Sequence, residues 1–252
     1  MQQRSSTSPL SSPADLASAT TMSSTRPHRT SSMVVALAII AAPIAGIAMP
    51  SSAPAPRVLA WASFLAADGA VDATTTWTSG ELWHPVVGTW AQLDHALVST
   101  QSMPDTRALA TVPSGGSSAR VAAIVSSLDG SAVRNGGVIA ASAATGTRRA
   151  LVATVNASGA LEVIYLPGRP ISLGSSATGA VTESTVELTL QLQGATAVAT
   201  ARPLWSRTPT VTVTATLSPA QVTDLADNDG YGVYADRSTG VAFTALRVEV
   251  PA

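Results

Sequence analysis

The chain's closest approach to a paired-carboxylate acid/base set is Glu183-Ser184-Thr185-Val186-Glu187. These residues begin a stretch that alternates as a strand, so positions i and i+4 lie about 13 Å apart at their Cα atoms, whereas a retaining glycosidase holds its two carboxyls about 5 Å apart. The expectation is two solvated strand-face charges. An acid and a base on separate strands would have to be drawn from Glu81, Asp94, Glu162, Glu183 and Glu187, and nothing in the sequence orders them. Asp224, Asp227, Asn228 and Asp229 crowd one loop, and oxygen ligands at that density could hold Ca²⁺ through Asp227 and Asp229. The EF-hand spacing and its distal Glu are absent, and an Asp/Asn/Gly turn accounts for the same residues by backbone geometry. Asp68, Asp72 and Asp236 have no companions in sequence that would pair them.

Other chemistries find little support. His84 and His95 are the histidines beyond the first 56 residues, and neither has the short companion spacing of a zinc site. Cysteine is absent, which removes disulfides, thiolate metal sites and a Cys nucleophile. There is no Gly-x-Ser-x-Gly elbow and no Walker-type loop. A net charge of −1, with three of the 14 basic residues ahead of position 30, leaves no basic face for nucleic acid. No catalytic residues are assigned, and no cofactor other than Ca²⁺ is implied.

Aromatic rings are scarce, and three of the five tryptophans, Trp77, Trp83 and Trp90, fall close together after Phe64 and the Asp68-Gly69 turn. A tryptophan can cover the apolar face of a pyranose while nearby polar groups fix its hydroxyls, but such a block also packs a core. Core or edge packing is the expectation for these three. Trp205 stands apart among polar residues in Arg202-Pro203-Leu204-Trp205-Ser206-Arg207. Packing at a rim is the ordinary outcome there, and exposure would make Trp205 the first candidate for a ligand contact. Tyr231 and Tyr234 of Gly230-Tyr231-Gly232-Val233-Tyr234 are the next candidates.

The elements that must position these residues are strands. Val186, Leu188, Leu190 and Leu192 alternate with Glu187, Thr189 and Gln191, and Val211, Val213, Ala215 and Leu217 alternate with threonines. The same period recurs at Leu161, Val163 and Tyr165 and at Leu246, Val248 and Val250. Shorter strands are expected at 108–112, 119–126, 137–143 and 149–155. Between them lie turn clusters such as Asp129-Gly130, Asn135-Gly136-Gly137 and Asn156-Ala157-Ser158-Gly159, whose Asn, Asp and Gly supply positive φ. Many strands without a long amphipathic helix indicate an all-β fold of two antiparallel sheets packed face to face. One short helix is expected from Ser218, with Pro219 in its first turn.

Residues 33–49, MVVALAIIAAPIAGIAM, are apolar, follow Arg26, His28 and Arg29, and precede a Pro/Ser/Ala linker. That order is a secretory signal, and its 17 residues, interrupted by Pro43 and Gly46, are short for a bilayer about 30 Å thick. Residues 1–56 are therefore read as signal and linker, with an uncleaved anchor at 33–49 as the alternative and Met22 as an alternative start. Residues 57–252 form one domain. All 14 basic residues are Arg, which with the Ala, Thr, Val and Ser abundance points to GC-rich bacterial coding.

With the strands placed, the exported region resembles secreted bacterial concanavalin A-like (laminin G-like, lectin/glucanase) jelly-roll domains almost end to end. The resemblance rests on Phe64, Asp68-Gly69, Trp77, Gly88-Thr89-Trp90, Gly137-Val138-Ile139-Ala140 with the hairpin from Arg149 to Tyr165, Gly232-Val233-Tyr234, and Phe243 to Val248. Laminarinase-type glucanases of this fold carry Glu-x-Asp-x-Glu or a one-residue-longer variant, and Thr185 stands where the middle carboxylate would be. What the resemblance implies is a secreted or surface-exposed, non-catalytic recognition or structural module, with a polysaccharide or cell-surface glycan as partner and the membrane involved only through the N-terminal segment. The alternatives are a divergent glycoside hydrolase or polysaccharide lyase, and a cell-surface or appendage component with a protein partner.

Overall fold

The structure is a computed structural model, and it describes residues 56–65, 67–72, 75–112, 119–142, 149–226 and 228–250. The signal and linker segment lies outside the described residues apart from Pro56, as do Asp227 and the turn at 113–117. The strands are β1 (Arg57–Ser63), β2 (Gly69–Val71), β3 (Trp83–Val87), β4 (Trp90–Leu93), β5 (Ala96–Ser99), β6 (Thr106–Thr111), β7 (Arg120–Ser127) and β8 (Gly136–Ser142). They continue as β9 (Ala150–Val155), β10 (Leu161–Leu166), β11 (Ile171–Ser175), β12 (Thr185–Gln193), β13 (Thr196–Pro203) and β14 (Val211–Thr216). A helix, α1 (Pro219–Leu225), then leads to β15 (Gly230–Ala235) and β16 (Val241–Val250).

All pairings between these strands are antiparallel. A nine-stranded sheet runs β14-β13-β12-β7-β16-β5-β4-β2, with β1 also on β16, and a seven-stranded sheet runs β11-β10-β9-β8-β15-β6-β3. The expected two-sheet antiparallel sandwich is what forms. The sheets pack face to face, with β12 and β7 over β8 and with β13 and β14 over β10. Alternation explains the core directly: Val186, Leu188, Leu190 and Leu192 are buried there with Val213 and Ala215, while Thr212, Thr214 and Thr216 face solvent.

Trp77, Trp83 and Trp90 are among the largest fully buried side chains. Trp83 lies 5.0 Å from Trp77 and 6.1 Å from Phe64 between ring centroids, and Trp90 lies 6.1 Å from Phe243. They fill space between strands whose inward residues are otherwise small, Ala and Val for the most part. The indole N–H groups of Trp77 and Trp90 find no acceptor among the described residues, so packing holds them despite a polar cost.

The helix closes one end. Ser218 accepts from the Gln221 N–H and its own N–H donates to Gln221 Oε1 at 2.7 Å, a reciprocal cap with Pro219 behind it. Asp224 then accepts from Arg149 and from the Tyr165 hydroxyl, both at 2.6 Å, which ties the helix to the seven-stranded sheet. Among the described residues no helix is long and apolar enough to cross a membrane.

Strand β15 sits between β8 and β6, and the ladder is tight at Gly232, where a Cβ would meet the Ala108 carbonyl oxygen at 2.0 Å. Replacing Gly232 with Ala must push the strands apart, so the variant should lose about 3 kcal/mol of stability. A urea titration would show this as a fall in midpoint at unchanged slope. An unaltered midpoint would mean the ladder relaxes freely.

Candidate functional site

Alternation along β15 sends Tyr231 into the core and Tyr234 to the outward face of the seven-stranded sheet. The two expected ligand residues therefore lie on opposite faces and cannot share a ligand. Tyr231 borders a void of about 60 Å³ beside α1, together with Asn228 and Asp229. Tyr234 borders a cleft of about 770 Å³, within the size range of small-molecule sites.

Cross-strand register builds the floor of this cleft. Glu162 of β10 pairs with Thr154 of β9, Thr154 with Gly137 of β8, Gly137 with Tyr234, and Tyr234 with Arg107 of β6. Neighbouring strands are about 4.8 Å apart, so Glu162 and Tyr234 stand about 14 Å apart across the floor. Gly137 is obligatory, because a Cβ there would lie 2.4 Å from the Ala153 carbonyl oxygen and 2.9 Å from Thr154 Cβ. The adjoining row supplies apolar Ile164, backed by fully buried Val152, Ile139 and Leu109.

One rim is a laced set of loops. The Asp105 N–H donates to Asp236 Oδ1 at 3.3 Å, the Asp236 N–H to the Asn135 carbonyl at 2.9 Å, and the Arg237 N–H to the Met103 carbonyl at 2.9 Å. Asp105, Asn135 and Arg237 all hold positive φ, at 59°, 59° and 51°. Left-handed backbone at non-glycine residues costs roughly 1 kcal/mol or more each, and such strain gathers where surrounding contacts enforce it. Arg107 is buried, donating to Asp105 Oδ1 from Nε at 2.7 Å and to Oδ2 from Nη2 at 2.5 Å.

The β9–β10 turn continues this rim, with the Asn135 N–H donating to the Val155 carbonyl beside it at 2.6 Å. Asn156 Oδ1 accepts from the Ser158 N–H at 3.0 Å and the Ala160 N–H at 3.1 Å, and Asn156 Nδ2 donates to Glu162 Oε2 at 3.2 Å. Burial, then the nearby Asp236 and Asp105 carboxylates, pushes the Tyr234 phenol well above its usual range, with Arg107 opposing. The phenol stays neutral at ordinary pH and keeps its proton to donate. The cleft thus sets carboxylates, carboxamides, hydroxyls and the Arg237 guanidinium around an apolar patch. That arrangement complements a polyol with one apolar face.

The remaining candidates from the sequence lie elsewhere. Trp205 is 86% exposed, not rim-packed, in the loop after β13, and it does not line the cleft. Glu183 pins that loop, accepting from Ser206 at 3.0 Å and from Thr208 at 2.6 Å. Asp94 and His95 form the two-residue turn between β4 and β5, both with positive φ, and Glu81 accepts from Ser79 nearby. Of the five carboxylates considered for acid/base work, Glu162 alone reaches the cleft. For calcium, Asp227 lies outside the described residues, Asp229 borders the void, and Asp224 is engaged by Arg149 and Tyr165. Among the described residues no three metal-ligating side chains come together.

Glu187 corrects an expectation. It is buried on the outward face of the nine-stranded sheet, not solvated, and accepts from Arg202 Nε at 2.9 Å and Arg247 Nη2 at 2.7 Å. Alternation identified the face but not the strand order that brings Arg202 from the adjacent β13 and Arg247 from two strands away over it. Sequence reading missed Asp105, Asn135, Thr154, Asn156 and Arg237 as site residues for the same reason. A local signal existed only at Asn135 and Asn156, in their turn clusters, and there it spoke of backbone shape.

No protein-family model matches the chain, and no curated protein matches it in sequence. Among solved structures, carbohydrate-binding module CBM66 from Bacillus subtilis aligns with a TM-score of 0.52 and 17% identity, over 66% of this chain and 94% of that one. The CBM2 module of the evolved Dit of Lactobacillus casei BL23 phage J-1 gives 0.49 and 9%, over 78% and 97%. The Ca²⁺-bound exoplasmic/lumenal domain of VIP36 gives 0.45 and 7%, over 73% and 89%. At 17% identity the likeness to CBM66 is one of fold alone.

Burial would raise the Glu187 pKa, but its hydrogen bonds from Arg202 and Arg247 outweigh this and hold it below the ordinary 4.5. Its contribution to stability is therefore complete above that value and is lost as pH falls through the lowered one. Glu187→Gln should cost about 2 kcal/mol at pH 7. Thermal melts of the two proteins should converge as pH drops below about 4. A difference that persists undiminished in acid would refute the ion-pair account.

Proposed function

We propose that the protein is an exported, non-catalytic glycan-binding module of concanavalin A-like fold whose ligand occupies the cleft on the seven-stranded sheet. The cleft itself carries this reading. It combines an apolar floor at Ile164, a neutral phenol at Tyr234 and converging polar groups from Thr154, Asn156, Glu162, Asp236 and Arg237. Sugar hydroxyls both donate and accept, so a mixed set of carboxylates, amides and hydroxyls matches them better than a single-sign site would. The CBM66 structure, a carbohydrate-binding module by name, has the same kind of fold and supports the reading by analogy. Export is supported by the order of basic, apolar and small-residue segments in residues 26–56.

The non-catalytic part rests on how the cleft carboxylates are engaged. Asp105 gives both oxygens to Arg107, Asp236 braces the Asp105 backbone, and Glu162 receives Asn156. Each is an oriented acceptor. Asp224 and Asp229 of the calcium candidates do not line the cleft.

Binding to a panel of neutral cell-wall and plant polysaccharides, with and without Ca²⁺, tests the proposal. At least one should bind, and Tyr234→Phe, which deletes only a hydroxyl, should weaken it about threefold to tenfold. Asp236→Asn keeps the loop acceptor and should weaken binding by a similar factor. Binding of none of the panel would remove the glycan ligand. Turnover of a bound oligosaccharide that vanishes in Glu162→Gln would replace recognition with hydrolysis or elimination.

A further inference from the structure

The outward face of the nine-stranded sheet, on the far side of the sandwich from the cleft, carries a second constellation. Register aligns Trp61 of β1 with Arg247 of β16, Arg247 with Ala122 of β7, Ala122 with Thr189 of β12, and Thr189 with Thr200 of β13. Trp61 is 46% exposed although its neighbours Ala60 and Ala62 are buried in the core. Its backbone is held on both sides: β16 pairs along one edge, while on the other the Trp61 N–H donates to Ser79 Oγ at 2.7 Å and the Ser79 N–H donates to the Trp61 carbonyl at 3.1 Å. The indole is thus an exposed ring on a fixed strand. Beside it, Ala122 and Ala245 leave a trough of about 130 Å³ that Ile124 and Arg247 also border.

Charge on this face is layered. The side chains of Glu187 and Glu249 are each 7% exposed, whereas those of Arg202, Arg247 and Arg120 are 55%, 38% and 34% exposed. The arginine side chains are therefore more exposed than the carboxylates they pair with, and the three arginines and two glutamates together carry a net charge of +1. Arg247 is fixed by both glutamates. Arg120 is held less firmly, with its Nη1 3.8 Å from Glu249 Oε2, an oxygen that accepts no hydrogen bond among the described residues.

We propose that this face is a second binding surface for an anionic, uronate-type polysaccharide. The ring of one sugar would stack on Trp61 while carboxylates along the chain meet Arg247, Arg120 and Arg202. Four strand spacings separate Trp61 from the β13 row that carries Arg202, about 19 Å, so the surface suits an extended polymer better than a single sugar. A protonated acid or a neutral glycan would not answer the one positive charge that the two glutamates leave over, whereas a carboxylate would, and it can take two parallel N–H donors from a guanidinium. The proposal uses no cleft residue and stands or falls apart from the cleft.

Polygalacturonate, its fully methyl-esterified form and poly-L-glutamate are the probes, with binding measured on the full exported region by calorimetry at low and high salt. Polygalacturonate should bind, weaken with salt, and lose about tenfold in affinity with Trp61→Ala and about threefold with Arg202→Gln, while Tyr234→Phe changes nothing. The methyl ester and poly-L-glutamate should bind much more weakly. Absence of polygalacturonate binding would overturn the proposal. So would equal binding of poly-L-glutamate with indifference to Trp61→Ala, which is plain charge attraction, or loss of binding in Tyr234→Phe, which would move the acidic sugar to the cleft. Should Trp61→Ala fail to melt cooperatively, Arg120→Gln, which gives up only the loose 3.8 Å contact with Glu249, decides the question: a loss of polygalacturonate affinity of about threefold supports the proposal and unchanged affinity overturns it.

Discussion

The antiparallel ladder that seats β15 between β6 and β8 is the constraint on which the rest depends. Its three strands come from residues 106–111, 136–142 and 230–235, so the centre of the seven-stranded sheet exists only when distant parts of the chain meet. Close approach at Gly230 and Gly232 permits the meeting, since a Cβ at either would strike a facing carbonyl oxygen at 2.3 Å or 2.0 Å. The same ladder fixes Tyr234 between Gly137 and Arg107 and so determines where the cleft can be. Fold and site share one set of hydrogen bonds.

From that ladder the loops follow. Asp236 leaves the end of β15 and braces Asp105, while its own N–H is taken by Asn135, so the left-handed residues of the rim are held by the strand that carries Tyr234. A site built this way is preorganised, because the cost of ordering its polar groups falls on folding and not on ligand capture. The nine-stranded sheet solves a different problem. Its outward carboxylates are covered by arginines, Glu187 by Arg202 of the adjacent β13 and by Arg247 from two strands away, and Glu249 by Arg247 of its own strand.

Much of the architecture was legible in the sequence because period-2 alternation is local. The strands around Val186 to Leu192, Val211 to Leu217 and Leu246 to Val250 and the helix capped by Ser218 lie where the pattern puts them. Strands β11 and β13 were not singled out, since Ile171–Ser175 follows a Pro/Gly cluster and Thr196–Pro203 alternates only Thr with Ala and Val. The site was scarcely legible. Tyr231 and Tyr234 carry the same signal in the sequence, two tyrosines in one Gly-rich segment, yet Tyr231 faces the core and Tyr234 the outward face. Asp105, Thr154 and Arg237 meet Tyr234 through strand order and loop lacing, neither of which has a local signature. Nothing local marks Trp61 of the first strand as exposed, while the denser block from Trp77 to Trp90 packs the interior.

Amide chemical-shift mapping of the isotopically labelled protein, titrated with neutral oligosaccharides, tests the central claim most directly. Ligand capture in the cleft predicts concentration-dependent shifts at Gly137, Thr154, Asn156, Glu162, Tyr234 and Arg237, with the nine-stranded sheet unmoved. Shifts confined to the nine-stranded sheet or to the Trp205 loop, or no shift with any oligosaccharide, would contradict it.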